Sequence, residues 1–206
     1  MRFYLSSYKL GSKTEKLKEL MPKGNAIGLI PNALDYTKAD PVRREEGIKE
    51  DIGSLMSLGF VVETVDLKDY FGKTDQLRKK LDLLGGVFIR GGNAFVLRQA
   101  MRLSGFDVIF KELLLKDDFL YAGFSAGICV LAADLTPLKI VDDATDTPYR
   151  GQDKVIWEGL GYLDYIILPH YDSEHPESAD IDKTVKFCIR NSIPFRTLRD
   201  GDVIVI

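Results

Sequence analysis

Apolar runs alternate with helical repeats along most of the chain. Residues 25–31 and 86–90 are almost continuously apolar, which is typical of strands buried on both faces of a parallel sheet. Asp40 and Pro41 then begin a helical repeat with a capping residue and a proline at the first position. This alternation predicts an α/β fold, a mostly parallel sheet with helices on both faces. The predicted strands are 2–6, 25–31, 60–67, 86–90, 119–122 and 165–168, and the predicted helices are 12–20, 40–58, 75–84, 94–104, 106–115, 128–133 and 178–191.

The alternation weakens between residues 134 and 161, a stretch with several glycines, prolines and aspartates. Long connections of this kind are often functional. Within it, 138–141 has the pattern of a short strand. Further on, two apolar segments flank Asp200 and Gly201, a turn signal that predicts a C-terminal β-hairpin. No linker or repeat interrupts the chain, so we expect one domain over residues 1–206.

The predicted helix 40–58 has an apolar face and a charged face. Its apolar residues recur at helical spacing, so we expect them to pack against the sheet. The opposite face is rich in arginine, lysine and glutamate, and we expect it to be solvated. The residues of the apolar face are Ile48, Ile52, Leu55 and Met56.

Composition narrows the class of protein. Of the 206 residues, 45% are hydrophobic and 29% are charged, as in an ordinary globular protein. The net charge of −3 provides no basic face for nucleic acid or for an acidic membrane surface. We expect neither a membrane span nor a signal peptide, because no apolar run has the required length. Cys129 and Cys188 lack metal or redox spacing, so we expect reduced core residues and a cytoplasmic location.

The most informative stretch is residues 123–127, a Gly-x-Ser-x-Gly motif centred on Ser125. An apolar strand leads into the motif and a helical segment follows, which is the pattern of a nucleophile elbow. The tight turn would push the Ser125 hydroxyl out at the end of the strand, and a Cβ at either glycine would clash. The same motif could be a plain turn in which Ser125 caps a helix. A catalytic serine therefore needs partners elsewhere in the chain.

A serine nucleophile needs a base, and the sequence contains two histidines. His170 follows the predicted strand 165–168, which would fix its position, whereas His175 lies in a polar loop. Imidazole titrates near neutral pH, so His170 is the predicted base. The His-x4-His spacing could belong to a metal pair, but Pro176 argues against a helix there. We therefore expect neither a metal nor another cofactor.

Several acidic residues could hold the imidazole and stabilise its charged form. The order serine, acid, histidine would place this residue between positions 134 and 169. Asp142 and Asp143 are the first choices, because they close the strand-like run 138–141. A dyad without an acid would also satisfy the pattern. The acidic candidates are Asp134, Asp142, Asp143, Asp146, Asp153, Glu158 and Asp164.

Backbone amides near the serine would bind the negative charge of a tetrahedral intermediate. The amide of Ala126, directly after the nucleophile, is the natural first donor. The amide of Gly92 is the natural second donor if the strand before it neighbours the elbow strand. The pair Gly91-Gly92 could instead form a plain turn or a phosphate cradle, although no Gly-x-Gly-x-x-Gly or Walker pattern is present.

Three motifs, at 91–95, 122–127 and 168–171, together resemble the peptidase E family, the aspartyl dipeptidases related to cyanophycinases. The segments 31–33 and 193–202 also resemble that family, so the resemblance spans most of the chain. It implies a fold similar to class I glutamine amidotransferases, with serine in place of their cysteine. It also implies metal-independent hydrolysis of short peptides by a monomer or homodimer. The residues implied are Ser125 as nucleophile, His170 as base, and Asn93 with Gly91 at the substrate pocket.

The chain departs from the well-known aspartyl dipeptidases in two ways. The segment expected to hold the acid is longer here. In addition, residues 171–187 contain no arginine that could bind a substrate aspartate, and only Lys183 and Lys186 are cationic there. The first departure makes Asp142 and Asp143 only approximate matches to the family's acid, and the second weighs against a preference for N-terminal aspartate.

Two other functions fit parts of the pattern. An esterase of the α/β-hydrolase type shares Gly-x-Ser-x-Gly and the order serine, acid, histidine, although that fold usually has a longer chain and a more distant histidine. A small-molecule binding protein could keep the elbow and lack the acid. The predicted function is a serine peptidase that hydrolyses short peptides through an acyl-enzyme, possessing a Ser-His-acid centre.

Overall fold

A mostly parallel sheet forms the centre of the computed structural model, which describes residues 1–22, 24–152 and 154–206. The strands are β1 (Arg2–Ser6), β2 (Ala26–Ile30), β3 (Val61–Thr64), β4 (Gly86–Ile89), β5 (Leu120–Phe124), β6 (Ile166–Leu168), β7 (Phe195–Thr197) and β8 (Val203–Val205). The six-stranded sheet has the order β3-β2-β4-β5-β1-β8. Its strands are parallel except β8, which runs antiparallel to β1 at the edge. The predicted α/β fold is confirmed.

Helices cover both faces of this sheet, as the apolar pattern predicts. Neighbouring residues of one strand belong to different cores: Phe3 and Leu5 pack in one, and Tyr4 packs in the other. Each core is closed by helices, so the alternation of side chains along the strands is satisfied on both sides. The helices are α1 (Thr14–Leu20), α2 (Pro41–Ser57), α3 (Thr74–Leu81), α4 (Ala94–Ser104), α5 (Phe106–Leu114), α6 (Ala126–Cys129) and α7 (Ser178–Arg190).

The buried face of α2 differs from the predicted one. Leu55 is buried as expected, but Met56 is 58% exposed. Asp51 is buried instead and forms an ion pair with Arg90, which follows β4. The guanidinium of Arg90 also donates a hydrogen bond to the carbonyl of Gly47. The face of α2 that carries Asp51 therefore lies against the sheet, where its carboxylate can pair with the guanidinium of Arg90.

The C-terminal hairpin is confirmed, and its two arms have different partners. Asp202 N–H donates to the carbonyl of Arg199 in a tight turn between β7 and β8. The first arm, β7, pairs in parallel with β6 in a separate two-stranded sheet, whereas β8 pairs with β1. The turn is thereby fixed between the small sheet and the edge of the large one.

The connection after β5 differs most from the prediction. Residues 138–141 do not form a strand, because Pro137 lies in a 3₁₀ helix, Thr136–Ile140. The carboxylate of Asp134 accepts hydrogen bonds from the N–H and hydroxyl of Thr136 and fixes the start of that turn. Both cysteines are buried and unpaired in the described structure. No helix in the described ranges is long and apolar enough to cross a membrane.

Candidate active site

Ser125 lies at a sharp corner between β5 and α6. Its backbone has φ 49° and ψ −120°, a strained conformation for a residue with a side chain. The corner brings the following turn against β4, since a Cβ on Gly127 would lie 2.3 Å from the Ile89 carbonyl oxygen. This is the geometry of a nucleophile elbow, and it projects Ser125 from the carboxyl end of the strand.

Ser7 connects the segments that carry the candidate catalytic residues. It directly follows β1, the strand beside β5, and its carbonyl accepts the N–H of Ser125 at 3.2 Å. The Ser7 hydroxyl accepts the N–H of His170 at 2.9 Å and donates to Oδ1 of Asp200 at 2.9 Å. Ser7 is fully buried. One hydroxyl therefore positions both the histidine and the carboxylate of Asp200, which lies outside the interval predicted for the acid.

The imidazole of His170 is held by Asp200. Nδ1 of the ring lies 2.7 Å from Oδ1 of Asp200, so this nitrogen carries the proton and donates it to the carboxylate. The ring is only 1% exposed. Burial lowers the pKa of His170 below its ordinary value, although the bond to Asp200 opposes that shift. At neutral pH the imidazole is therefore neutral, with a lone pair on Nε2.

The predicted acids Asp142 and Asp143 lie elsewhere and do not contact the imidazole. Oδ2 of Asp142 accepts the N–H of Ala94, at the start of α4, at 2.8 Å. Desolvation of this partly buried carboxyl raises its pKa to about 7. Asp143 is exposed and accepts hydrogen bonds from the N–H and hydroxyl of Thr145, which lower its pKa.

Asp200, the partner of the imidazole, lies outside the interval 134–169 in which the chain order predicts the acid. The hairpin turn carries this residue back to β1, next to the elbow strand, although it lies after the histidine in sequence. Asp153, another acidic candidate, lies outside the described residues. A Ser-acid-His order therefore does not describe the arrangement seen here, in which the acid comes last.

The glycine pair after β4 lies against Ser125, as the strand order requires. A Cβ on Gly91 would lie 2.7 Å from the Cβ of Ser125. Gly92 has φ 144° and packs so closely on Ala33 that a Cβ would lie 2.3 Å from its carbonyl oxygen. Within the described residues, the N–H groups of Gly92 and Ala126 donate to no other group. Both remain predicted oxyanion donors.

Asn93 has a structural task at the wall of the site. Its Oδ1 accepts the N–H groups of Phe95 and Val96 and caps α4. Its Nδ2 donates to the carbonyl of Asp143 at 2.9 Å. This bond holds the connection after β5 against the start of α4. Among the residues that the structure describes, the other N–H of the amide has no acceptor, so contact with substrate remains a prediction for Asn93.

Ser125 and His170 line one cleft of about 130 Å³. Nε2 of His170 is buried and has no hydrogen-bond partner among the described residues, so Ser125 Oγ does not yet bond to it. A larger cleft of about 280 Å³ adjoins this one at Gly92 and Glu177. Its charged lining is mainly acidic. Among the described residues, it contains one cationic side chain, Lys38, and four acidic ones, Asp142, Asp143, Asp146 and Glu177.

His175 and Glu177 lie close to the candidate base. The rings of His170 and His175 stack with centroids 3.7 Å apart and planes 11° from parallel. Donor atoms of His170, His175 and Glu177 all lie within 4.8 Å of one another. This group is the set of described residues that could hold a metal ion. The sequence spacing suggests the two histidines as a pair, whereas Glu177 joins them only in the folded chain.

Comparisons with known proteins extend over nearly the whole chain. The sequence model of Peptidase family S51 matches residues 6–206. An uncharacterized peptidase of Listeria monocytogenes is 26% identical over 170 residues, which cover 78% of this chain and 77% of that protein. An uncharacterized peptidase of Listeria innocua is 24% identical over 169 residues, which cover 78% of this chain and 75% of that protein.

Two solved structures share the fold. A Listeria monocytogenes protein provisionally named peptidase E has a TM-score of 0.71 at 21% identity, over 100% of this chain and 97% of that chain. A peptidase from an acI-B1 actinobacterium has a TM-score of 0.72 at 15% identity, over 100% of this chain and 82% of that chain.

Proposed function

The chain belongs to peptidase family S51, and from this premise we propose that it is a serine peptidase acting on short peptides. Ser125 is the proposed nucleophile, His170 the base and Asp200 the orienting acid. The observation that carries this proposal is the strained elbow of Ser125 in one cleft with a neutral imidazole whose other nitrogen is bonded to a carboxylate.

The proposed reaction gives each of these groups one role. Nε2 of His170 takes the proton of Ser125 as Oγ attacks the peptide carbonyl, after the serine side chain turns toward the imidazole. Asp200 stabilises the imidazolium, and the amides of Gly92 and Ala126 hold the oxyanion. His170 then gives the proton to the leaving amine. Water releases the acyl group from Ser125 by the same proton transfers in reverse.

The acidic cleft suggests which end of a peptide it receives. Four carboxyl groups and one lysine line the cleft that adjoins Ser125. Such a lining attracts the α-ammonium group of a short peptide and repels an aspartate side chain. We therefore propose dipeptides and similar short peptides with a free N-terminus as substrates, without a preference for N-terminal aspartate.

The test is replacement of the nucleophile. Ser125→Ala should lower kcat for dipeptide hydrolysis by at least about 10³-fold and abolish labelling by a serine-directed phosphonate. Ser57→Ala, at the exposed end of α2, is the matched control and should hydrolyse at the wild-type rate. Wild-type hydrolysis by Ser125→Ala would refute the proposal. Hydrolysis of small acyl esters without hydrolysis of dipeptides would favour the esterase reading instead.

A further inference from the structure

The two histidines of the chain lie together beside the candidate nucleophile. No other histidine occurs in the sequence, yet His170 and His175 stack at 3.7 Å and share a cluster with Glu177. The proposed hydrolysis uses only His170. The placement of a second imidazole and a carboxylate at the same point is therefore not explained by that reaction.

The free nitrogen of His170 is prepared for a ligand. Nε2 is buried and has no partner among the described residues, which is costly for a polar atom. The proton on Nδ1 is donated to Asp200, so the lone pair is on Nε2. Metal-binding histidines almost always donate their other N–H to a carboxylate or carbonyl in this way. The carboxylate of Asp200 therefore holds the N–H of His170 in the way that is usual for a metal-binding histidine.

We propose that His170, His175 and Glu177 bind a divalent metal ion of the Zn²⁺ class, and that the bound ion inhibits the peptidase. Two imidazole nitrogens and one carboxylate oxygen are a donor set typical of Zn²⁺ and unsuited to Mg²⁺ or Ca²⁺. The ion would occupy the lone pair that must accept the serine proton. Inhibition rests on the proposed function, whereas binding does not.

Binding requires the ring of His175 to rotate out of its stack on His170 and Glu177 to approach, because the in-plane lone pairs of two parallel rings 3.7 Å apart do not converge on one ion. Tetrahedral Zn²⁺ with bonds of about 2.0–2.1 Å places its donor atoms roughly 3.3 Å apart, closer than the 4.8 Å limit seen here. The side chains of His175 and Glu177 are 19% and 40% exposed and lie in a loop, so they can turn toward the fixed His170. His175 Nδ1 accepts only a long bond of 3.3 Å from Glu177 N–H.

The local charge does not oppose a cation. Arg90 lines the same cleft, but its guanidinium is paired with the Asp51 carboxylate. Asp200 and Glu177 add negative charge on the side of the histidines. The charges around the cluster therefore favour the binding of a divalent cation.

The first test measures binding itself. Purified wild-type protein should bind one Zn²⁺ per chain in calorimetry, and Co²⁺ should give the visible absorption of a tetrahedral site without thiolate bands. His175→Ala and Glu177→Gln should each weaken the affinity by about tenfold or more. Glu174→Gln, an exposed neighbour outside the cluster, should bind like wild type. Thermal melts establish that each variant is folded.

The second test links binding to hydrolysis. Zn²⁺ should inhibit the wild-type enzyme, EDTA should restore activity, and His175→Ala should require about tenfold more Zn²⁺ for the same inhibition. Absence of stoichiometric binding, or equal affinity in wild type and both ligand variants, would overturn the proposal. Ser125→Ala should still bind Zn²⁺. A protein that binds Zn²⁺ but hydrolyses no peptide would support the metal site and refute the proposed function.

Discussion

Two carboxyl groups near the nucleophile, those of Asp200 and Asp142, have opposite surroundings. Asp200 lies in the hairpin turn, 26% exposed, and bonds both to the imidazole of His170 and to the hydroxyl of Ser7. Asp142 lies in the connection after β5 and receives a backbone N–H from Ala94. Its pKa is raised to about 7 by burial, whereas Asp200 is hydrogen-bonded to two side chains.

This difference separates two tasks for carboxyl groups at one site. A residue that orients a catalytic imidazole must stay ionised and hold one ring nitrogen. Asp142 is partly protonated at neutral pH, so it can either accept a hydrogen bond from a ligand or donate one. We therefore assign the orienting task to Asp200 and expect Asp142 to face the substrate. Both assignments can be tested by mutation.

The largest effect is expected from Asp200→Asn. An amide at this position can donate to Nδ1 and favour the wrong tautomer of His170, so kcat should fall by about 10³–10⁴-fold. Asp202→Asn is the matched control in the same turn, because asparagine can still accept the N–H of Arg199. Steady-state kinetics on a dipeptide measures the difference. Equal kcat values for the two variants would remove Asp200 from the mechanism.

A smaller effect is expected from Ser7→Ala. The variant leaves the N–H of His170 without an acceptor and removes a donor from Asp200, so kcat should fall about tenfold with a loss of about 1–3 kcal/mol in stability. Ser6→Ala is the control, since Ser6 is equally buried but bonds only to the carbonyl of Tyr8. The control should lose stability without losing kcat. A loss of kcat in both variants would show general damage to the sheet edge.

The mildest test concerns the stability of Asp142→Asn at different pH values. The folded pKa of about 7 lies above the ordinary value of 3.8, so ionisation of Asp142 destabilises the fold as the pH rises from 4 to 7. Asparagine can still accept the N–H of Ala94 and carries no charge. In urea unfolding, the variant should match wild type near pH 4 and be more stable at pH 8, on the order of 1–4 kcal/mol.

Asp143→Asn is the control with the opposite sign. Hydrogen bonds from Thr145 lower the pKa of Asp143, so its ionised form stabilises the fold slightly at pH 8 and that contribution is lost as the pH falls. The variant should therefore be no more stable than wild type at pH 8. A destabilised Asp142→Asn variant at pH 8 would contradict the assignment of a protonated, substrate-facing carboxyl.

The elements and the elbow at Ser125 could be predicted because their signals are local. Apolar runs predict β2 and β4, a capped repeat predicts α2, and the elbow motif predicts the strained corner at Ser125. The carboxylate that contacts His170 could not be found this way. Asp200 is recognisable as a turn residue, but only the pairing of β8 with β1 brings it to His170.

The roles of Ser7 and Asp51 likewise could not be predicted from the local sequence. A serine after a strand is ordinary in sequence, and its link to Ser125, His170 and Asp200 exists only in the folded chain. The burial of Asp51 in place of Met56 depends on Arg90, which reaches it from another element. Residues whose partners are distant in sequence carry no local pattern, and these are the residues that complete the site.

The placement of β8 beside β1 has a consequence for the timing of synthesis. A ribosome makes Ser125 and His170 well before residue 200, and the turn reaches its place only when β8 docks on the strand that was made first. Before that docking, Ser125 and His170 lack the carboxylate that holds the imidazole in the folded chain. We therefore expect peptidase activity to require that the last strand of the chain has docked on the first.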